Sequence, residues 1–428
     1  MPAAALTPRP TTGRTGRSAG RVVAPVVLPG LANPPMLIGY LAMGLVALWL
    51  MINVNVGVVK ADMFYKQGLG LDNASQWWSS ITPYDAALKL APNEDFYYLF
   101  LGRAYMEWAK NRASFPKNLP ANLNADVPTL LANAEAVLLK AANLNPMNTD
   151  HYANLGRLYV FWSEQTKDVG KMGQGVAAYE KAHALSPGNA QIWNELGLAY
   201  MKAGNYGKAV EALRGSIAMD DRYALSYFVL GEIDRTQAAQ PGVTVTDTQQ
   251  LAEEATQAYA KAVSLDPNQI QDNAFEQRMT WLSNTHTITP VIAAYTTIVS
   301  NTQKASASAD ANLYVAASSA LGYIYSVLGN SDQSIIYFEK ALAVQCNDFY
   351  NLQNLGMIYR DAGHKTEALS TLRHALAVAR CTTADPYAVL CPPIASAASC
   401  TPLIQSRPDL KDRLTAIEQE ITRLESLP

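Results

Sequence analysis

The feature that most constrains how this chain folds is a spacing of large and small residues that recurs beyond residue 60. In its clearest copy, large side chains recur every three or four residues, the interval that places them on one face of a helix. A second helical stretch then presents small residues, and Gly204-Asn205 between the two predicts a turn. The positions of this copy are Trp193, Leu196, Gly197, Tyr200, Ala209, Leu213 and Ser216. The pattern predicts a hairpin of two packed helices.

The same offsets recur in two further copies that follow one another without a gap, over about 315–348 and 349–382. Their positions are Ser318, Leu321, Gly322, Tyr325, Ser334, Phe338 and Ala341, then Leu352, Leu355, Gly356, Tyr359, Ala368, Leu372 and Ala375. Gly329-Asn330 and Gly363-His364 predict their turns. This spacing resembles the roughly 34-residue tetratricopeptide repeat. The resemblance implies a solenoid of stacked helical hairpins.

Looser copies fill most of the remaining chain between residues 60 and 380. Insertions of about 20, seven and twelve residues separate the two helices in three of them, and insertions at such turns lie on one rim of a solenoid. Residues 268–304 are expected to form a degenerate pair of helices. The prediction for 60–380 is therefore an all-α, tetratricopeptide-repeat solenoid of about eight helical hairpins.

A second feature precedes the repeats, because residues 36–59 form a run of 24 residues without a formal charge. As a helix this run would extend roughly 36 Å, enough to cross a hydrocarbon core of about 30 Å. The alternative is a cleaved signal peptide, whose apolar region is about 7–15 residues long and ends at a small-residue cleavage site. The length of the run favours a single, uncleaved transmembrane helix.

The charges on the two sides of this run are uneven. Residues 1–59 contain no acidic residue and four arginines, so the remainder holds 29 basic against 36 acidic residues. The four are Arg9, Arg14, Arg17 and Arg21. Because basic residues favour the cytoplasmic side of a membrane, we expect a cytoplasmic N-terminus and an extracytoplasmic repeat domain. Residues 1–35 are rich in Arg and Pro and are expected to form a flexible tail.

A second uncharged run, residues 311–331, also has the length of a membrane helix. It contains four serines, two asparagines and two glycines, and it carries the Leu321-Gly322 pair of the repeat. The repeat offsets therefore favour a buried solenoid helix over a second membrane span.

Residues 381–428 differ in composition and are expected to form a Cys/Pro-rich loop followed by a last helix. After Pro408, apolar residues alternate at intervals of four and three. They are Leu410, Leu414, Ile417, Ile421 and Leu424. This spacing also fits the seam of a coiled coil, but it covers only two heptads and a convincing seam is longer. A helix that caps the final repeat is the preferred interpretation.

All four cysteines, Cys346, Cys381, Cys391 and Cys400, lie in the last quarter of the chain. Outside the membrane they can form disulfides. Cys391 with Cys400 would close the loop, and Cys346 with Cys381 would join equivalent helices of adjacent repeats. Four cysteines permit three pairings, between which the sequence does not choose, and Cys346 can also be read as a small apolar filler.

The composition and the motifs exclude several functional classes. A net charge of −3 is not that of a general nucleic-acid binder. The five histidines lie apart, and no metal-protease, Walker, nucleophile-elbow or glycine-rich nucleotide motif occurs. We therefore expect no catalytic residues, no metal site and no cofactor, and we interpret the protein as a non-enzyme.

In a solenoid of this kind the first helix of each pair lines the concave surface, and its inward offsets give a candidate partner-binding groove. The residues at these offsets are Phe96, Leu99, Arg103, Met106, Arg157, Phe161, Asn194, Leu198, Met201, Tyr350, Gln353, Met357 and Arg360. They are mostly apolar or amide side chains with scattered charges. An extended peptide or a helix of another protein suits such a surface better than a highly charged ligand. The alternative is that many of them pack against inserted loops.

Residues 50–110 also resemble the repeat-bearing tail of bacterial O-antigen-ligase-like membrane proteins, through VKADMFYKQG and YDAALKLAPNEDFYYLFLGRAYMEWAK. This chain lacks their many spans and catalytic loops. The resemblance therefore implies a bacterial envelope setting and not ligase activity.

The leading hypothesis is a non-enzymatic scaffold, anchored to the bacterial cell membrane by one helix, whose extracytoplasmic solenoid binds other proteins in an envelope complex. One alternative is a structural subunit that self-associates into a surface filament or oligomer through its repeat ends. The other is an accessory factor in surface polysaccharide assembly or export.

Overall fold

The computed structural model describes residues 34–112, 125–302, 308–380, 407 and 410–427. These residues contain 17 α-helices and no strand, which confirms the all-α prediction. The helices are α1 (Pro34–Asn73), α2 (Trp77–Leu90), α3 (Asp95–Lys110), α4 (Val127–Leu144), α5 (Thr149–Thr166), α6 (Val169–Leu185), α7 (Ala190–Lys202), α8 (Tyr206–Met219), α9 (Ala224–Ala238), α10 (Val245–Leu265), α11 (Phe275–Asn284), α12 (Thr289–Thr302), α13 (Ser308–Val327), α14 (Ser331–Val344), α15 (Phe349–Asp361), α16 (Lys365–Arg380) and α17 (Lys411–Ser426).

Seven pairs of consecutive helices pack as hairpins: α1–α2, α3–α4, α5–α6, α7–α8, α9–α10, α13–α14 and α15–α16. The regular hairpins stack because the second helix of one packs against the first helix of the next. This arrangement is the predicted solenoid. The core is correspondingly a series of apolar clusters along the stack, rather than one centre.

The expected degenerate pair at 268–304 departs from this pattern. Helix α12 packs between α10 and α13, and it makes little contact with α11. If Phe275 takes the place of Trp193, Arg278 and Met279 stand where regular copies have leucine and glycine. A long side chain at the glycine offset keeps two helices from approaching closely, so α11 and α12 do not close as a hairpin.

A glycine in the first helix sets the close approach of each regular hairpin. A Cβ placed on Gly322 would lie 2.9 Å from the ring of Phe338, and one on Gly356 would lie 2.6 Å from Leu372. Atoms in packed interiors do not come this close, so a side chain there would force the helices apart. The glycine that the repeat spacing singles out is thus required by packing.

Three of the hairpin turns also place a glycine where the backbone is left-handed. Gly204, Gly329 and Gly363 have φ values of +75°, +70° and +81°, the left-handed region that only glycine adopts without strain. The side chain of Asn205 then caps α8 by accepting a hydrogen bond from the Lys208 N–H. The predicted turns are confirmed at these three positions.

Neighbouring hairpins are joined by hydrogen bonds between tyrosine and glutamate. The Tyr200 hydroxyl on α7 donates to Glu180 on α6 at 2.5 Å, and the Tyr359 hydroxyl on α15 donates to Glu339 on α14 at 2.5 Å. Because an ionised carboxylate is a strong acceptor, each tyrosine buries its ring in the stack while its polar end is satisfied.

Helix α17 packs on α16 and caps the last hairpin, as the apolar spacing predicts. Leu414, Ile417 and Leu424 are 3%, 0% and 3% exposed. Because the apolar stripe faces the solenoid, it does not form a seam with a second chain. Salt bridges flank the contact, including one of 2.6 Å between Arg373 and Glu425.

Helix α1 covers both the uncharged run and the first repeat helix. Beyond Ala61, which is 0% exposed, it packs against α2. Earlier in the same helix Met36, Leu41 and Trp49 are 54%, 61% and 62% exposed. Among the described residues α1 is the one helix that is long and apolar enough to cross a membrane.

Candidate partner-binding groove

A cavity of about 460 Å³, the N-terminal cavity, opens between the first helices α3, α5 and α7. It is lined by Phe96, Leu99, Phe100, Arg103, Met106, Glu107, Asp150, Asn154, Arg157 and Gln191. The repeat offsets predict five of these ten, namely Phe96, Leu99, Arg103, Met106 and Arg157. Successive first helices therefore do bring these side chains together, in a space of the size that proteins use for ligands.

The two arginines of the N-terminal cavity differ in whether the protein already pairs them. Arg157 donates a 2.5 Å hydrogen bond to Glu195, which fixes its guanidinium between α5 and α7. Burial lowers the pKa of Arg157, but the bond to Glu195 outweighs burial and raises it. Arg103 makes no ion pair among the described residues and lies 5.0 Å from the centre of the Phe100 ring. Arg103 is thus the cation that an incoming partner can use.

Four predicted groove residues are held within the stack. Asn194 is 0% exposed, and its amide donates to the Ser226 hydroxyl at 3.1 Å, so it links α7 to α9. Phe161, Leu198 and Met201 are half-buried and pack against the neighbouring apolar clusters. The offset rule marks the correct helix face, but it does not distinguish a side chain that neighbouring helices cover.

The last four predicted residues lie on α15, next to the cap. Arg360 contacts Asp361 at 2.7 Å and Glu420 of α17 at 3.7 Å, and it donates to the Met357 sulfur at 3.3 Å. Gln353 is half-buried. Tyr350, which is 41% exposed, lines a cavity. The capping helix therefore occupies part of the face that the sequence assigns to a partner.

The cavity at Tyr350, the C-terminal cavity, has a volume of about 710 Å³. Its walls come from the segment before α11 and the first turn of α11, from α13, from α14 and the segment after it, from α15, and from α17. They consist of Asn268, Gln271, Asp272, Asn273, Phe275, Glu276, Asn312, Val315, Ala316, Ser319, Ala320, Tyr323, Phe338, Gln345, Asp348, Tyr350, Asn351, Asn354 and Arg413. Ser319 and Tyr323 sit at inward offsets of their repeat, so the same rule would have found them. Asn273 and Arg413 lie outside regular repeats, and no repeat signal marks them.

Helix α9, which lies between these cavities in the order of the stack, carries an ionic cluster. Arg278 of α11, 1% exposed, donates to Glu232 at 2.6 Å, and Tyr259 donates to the same carboxylate at 2.6 Å. Burial raises the pKa of Glu232, but Arg235 and Arg278 outweigh burial and lower it. A carboxylate with this many donors is a structural link and not a free acid.

The remaining site predictions concern cysteines and metals. Cys346 is disulfide-bonded, so it is not a simple apolar filler. Cys381, Cys391 and Cys400 lie outside the described residues, as do the N-terminal tail and the loop that precedes the cap, so the pairing stays a prediction. No group of three or more metal-ligating side chains occurs within the described ranges.

Residues 190–223, 316–345 and 350–380 match the family model of the tetratricopeptide repeat. No curated protein matches the chain. A solved thermophilic TPR protein from Thermus thermophilus is similar at 20% identity and a TM-score of 0.37, over 52% of this chain and 97% of that one. MamA from Desulfovibrio magneticus RS-1, residue 41 to the end, is similar at 16% identity and a TM-score of 0.36, over 48% of this chain and 97% of that one. The human IFIT1 dimer with PPP-AAAA is similar at 17% identity and a TM-score of 0.36, over 74% of this chain and 73% of that one.

Likenesses at such identities and scores imply nothing about function. The three matched segments coincide with the hairpins α7–α8, α13–α14 and α15–α16, whose glycine and turn positions follow the repeat. The chain therefore contains tetratricopeptide repeats, and its described residues form an α-solenoid of that type.

Proposed function

We propose that this protein is a membrane-anchored, non-enzymatic scaffold whose repeat solenoid docks another protein in a bacterial envelope complex. The observation that carries the docking proposal is the N-terminal cavity, where α3 contributes Phe96, Phe100 and Arg103 beside residues of the first helices α5 and α7. Aromatic and arginine side chains dominate the binding energy of protein interfaces. A peptide or helix with an apolar anchor and an acidic group matches this surface.

The anchoring proposal rests on the exposed part of α1. Side chains such as Ile38, Met43 and Leu45 are 66%, 66% and 65% exposed. Water would penalise a contiguous apolar surface of this size, whereas a bilayer would cover it. The arginines that precede α1 support a cytoplasmic N-terminus and an extracytoplasmic solenoid.

The capping helix argues against the filament alternative. A solenoid that polymerises through its repeat ends needs an open final hairpin, and α17 covers that hairpin with Leu414, Ile417 and Ile421. Terminal capping elements with a polar outer face keep repeat stacks soluble as single units.

Site-directed photo-cross-linking in native membranes tests the docking proposal. A photo-reactive phenylalanine analogue at position 96 should capture one partner, and Arg103→Glu in the same chain should reduce that product about tenfold. The same analogue at Gln174, exposed on the second helix α6, serves as the control. Equal capture from both positions, or capture that ignores Arg103→Glu, would contradict docking in the N-terminal cavity.

Thiol labelling of intact, reduced cells tests the topology. A membrane-impermeant probe should reach Gln174→Cys, with the unsubstituted chain as background. Labelling that appears only after lysis would reverse the proposed orientation.

A further inference from the structure

The C-terminal cavity differs from the N-terminal cavity in the side chains that it offers. Its walls are rich in carboxamides that come from four separate parts of the chain: the segment before α11, α13, the segment before α15, and α15 itself. The regular repeat supplies only some of them. Because these carboxamides line one open space, they can act together on a ligand.

These carboxamides have unused hydrogen-bonding capacity. Asn273, Asn312 and Asn354 make no side-chain hydrogen bond to the described residues. The same is true of Asn351, although it is 5% exposed and lines the cavity. Each amide offers two N–H donors and one acceptor oxygen. These four amides can therefore donate to and accept from a ligand in the cavity.

The charges of the cavity disfavour an anionic ligand. Asp272, Glu276 and Asp348 line it, against a single cation, Arg413. Arg278 offsets Asp272 from behind at 3.1 Å. A phosphate or a sulfate would therefore face a surplus of carboxylates, whereas a neutral ligand with hydroxyl groups can donate to these carboxylates and accept from the amides.

Aromatic rings supply the apolar part of the site. Phe275 and Tyr323 lie with their ring centres 5.8 Å apart, and Tyr350 is 41% exposed, with the Arg413 guanidinium 6.0 Å from its ring centre. Burial first, and then the carboxylate of Glu276, raise the pKa of Tyr323, so its hydroxyl keeps its proton at neutral pH. Flat rings edged by amides and carboxylates complement the C–H faces and the hydroxyl rim of a sugar ring.

We infer that the C-terminal cavity binds a neutral, hydroxyl-rich ligand of the oligosaccharide class. At about 710 Å³ it is large enough for several sugar units. An extended peptide is the competing occupant, but a peptide needs apolar pockets for its side chains, and the open walls here are mainly polar. This site is separate from the protein-docking cavity around Phe96 and Arg103.

The test uses the full chain in lipid nanodiscs, free of sugar-based detergent, on an array of neutral and acidic oligosaccharides. Neutral members should bind in preference to acidic ones. Tyr350→Ala should weaken binding about tenfold and Asn312→Ala about threefold, the range expected from losing one ring contact or one hydrogen bond. Thermal unfolding of each variant checks that the fold is intact.

Matched controls come from outside the cavity. Phe96→Ala removes a ring that is 38% exposed in the N-terminal cavity, and Asn133→Ala removes an exposed amide on α4. Both should leave glycan binding within twofold of the unsubstituted chain. Absence of binding to every neutral glycan, equal losses in the control variants, or a peptide library that binds through Tyr350 and Asn312 in place of glycans would each overturn the inference.

Discussion

Two runs of the chain, 36–59 and 311–331, have no formal charge and similar length, yet they have opposite surroundings. In the first run Leu45 and Trp49 are 65% and 62% exposed along α1. In the second run Leu321 and Ile324 are both 0% exposed within α13. Absence of charge therefore does not by itself distinguish an exposed apolar helix from a buried core helix.

The glycines of the two helices show the difference in their surroundings. Gly44 of α1 has nothing within 4 Å of a placed Cβ, whereas the equivalent point on Gly322 of α13 meets Phe338 at 2.9 Å. Gly44 contacts no other helix, whereas Gly322 is required because α14 packs closely against it. The predictions that follow exploit this contrast between α1 and α13.

The largest effect is expected from a charge placed in each helix. Leu321→Arg buries an unpaired cation in the stack and should lower the free energy of unfolding of the solenoid by about 4 kcal/mol or more. Leu45→Arg should leave that free energy unchanged, but it should weaken membrane retention, because an arginine at the centre of a span costs about 2.5–3.5 kcal/mol. Denaturant unfolding and membrane fractionation of both variants measure the two effects. Loss of the fold in both would contradict the separation of anchor and solenoid.

Shortening one buried side chain of the capping helix extends the comparison to α17. Ile417 is 0% exposed against the last hairpin, so Ile417→Ala should cost about 2–4 kcal/mol of stability. Val58, which is 53% exposed on α1, is the control, and Val58→Ala should change stability by less than about 0.5 kcal/mol. Equal stability of the two variants would mean that α17 does not cap the stack in solution.

The paired glycines give a smaller effect. Gly322→Val forces a side chain against Phe338 and should cost about 1–3 kcal/mol through overpacking. Gly44→Val meets open space and should leave the melting temperature of the solenoid as it is. Thermal unfolding followed by circular dichroism distinguishes the two, and a destabilised Gly44→Val would place α1 inside the folded unit.

The smallest effect on stability is expected from a partly buried carboxyl group within the solenoid, that of Asp234. Burial first, and then Glu254, raise the pKa of Asp234 on α9 to about 7, against roughly 3.9 in an unfolded chain. The folded state then binds the proton more tightly, so the stability from this group is present at pH 4 and is lost as pH rises through 7.

Replacing the Asp234 carboxyl with an amide should remove this loss of stability at high pH. Asp234→Asn should make the protein more stable than the unsubstituted chain at pH 8, by about 1 kcal/mol once solvent screening of a partly exposed group is allowed for. The advantage should vanish near pH 4. Asp221→Asn, on an exposed turn, is the control, and a pH-independent difference for Asp234→Asn would refute the assignment.

The regular part of the fold follows from the sequence because each repeat position has one physical role. Gly197 and Gly356 admit leucines of the second helix, and Gly204 and Gly363 take a left-handed turn, so residue type alone predicts the geometry. The buried seam of α17 follows from its spacing in the same way.

The irregular part did not follow from the sequence, because it depends on contacts between distant segments. Arg278 of α11 reaches Glu232 of α9 across 46 positions of sequence, and Arg413 of α17 reaches the C-terminal cavity. Asn194 occupies an inward offset, but a neighbouring helix covers it. Offsets fix which face a residue takes, whereas burial depends on what the next helix places above it.

The most direct test of the whole account is the location of Trp49, near the middle of the uncharged run. In liposomes that contain lipids brominated at mid-chain, bromine should quench part of the tryptophan fluorescence, and Trp49→Phe should abolish that quenching. Trp193→Phe, in the solenoid, should leave it in place. Quenching that persists without Trp49, or no quenching in the unsubstituted chain, would contradict an α-solenoid held to the bilayer by α1.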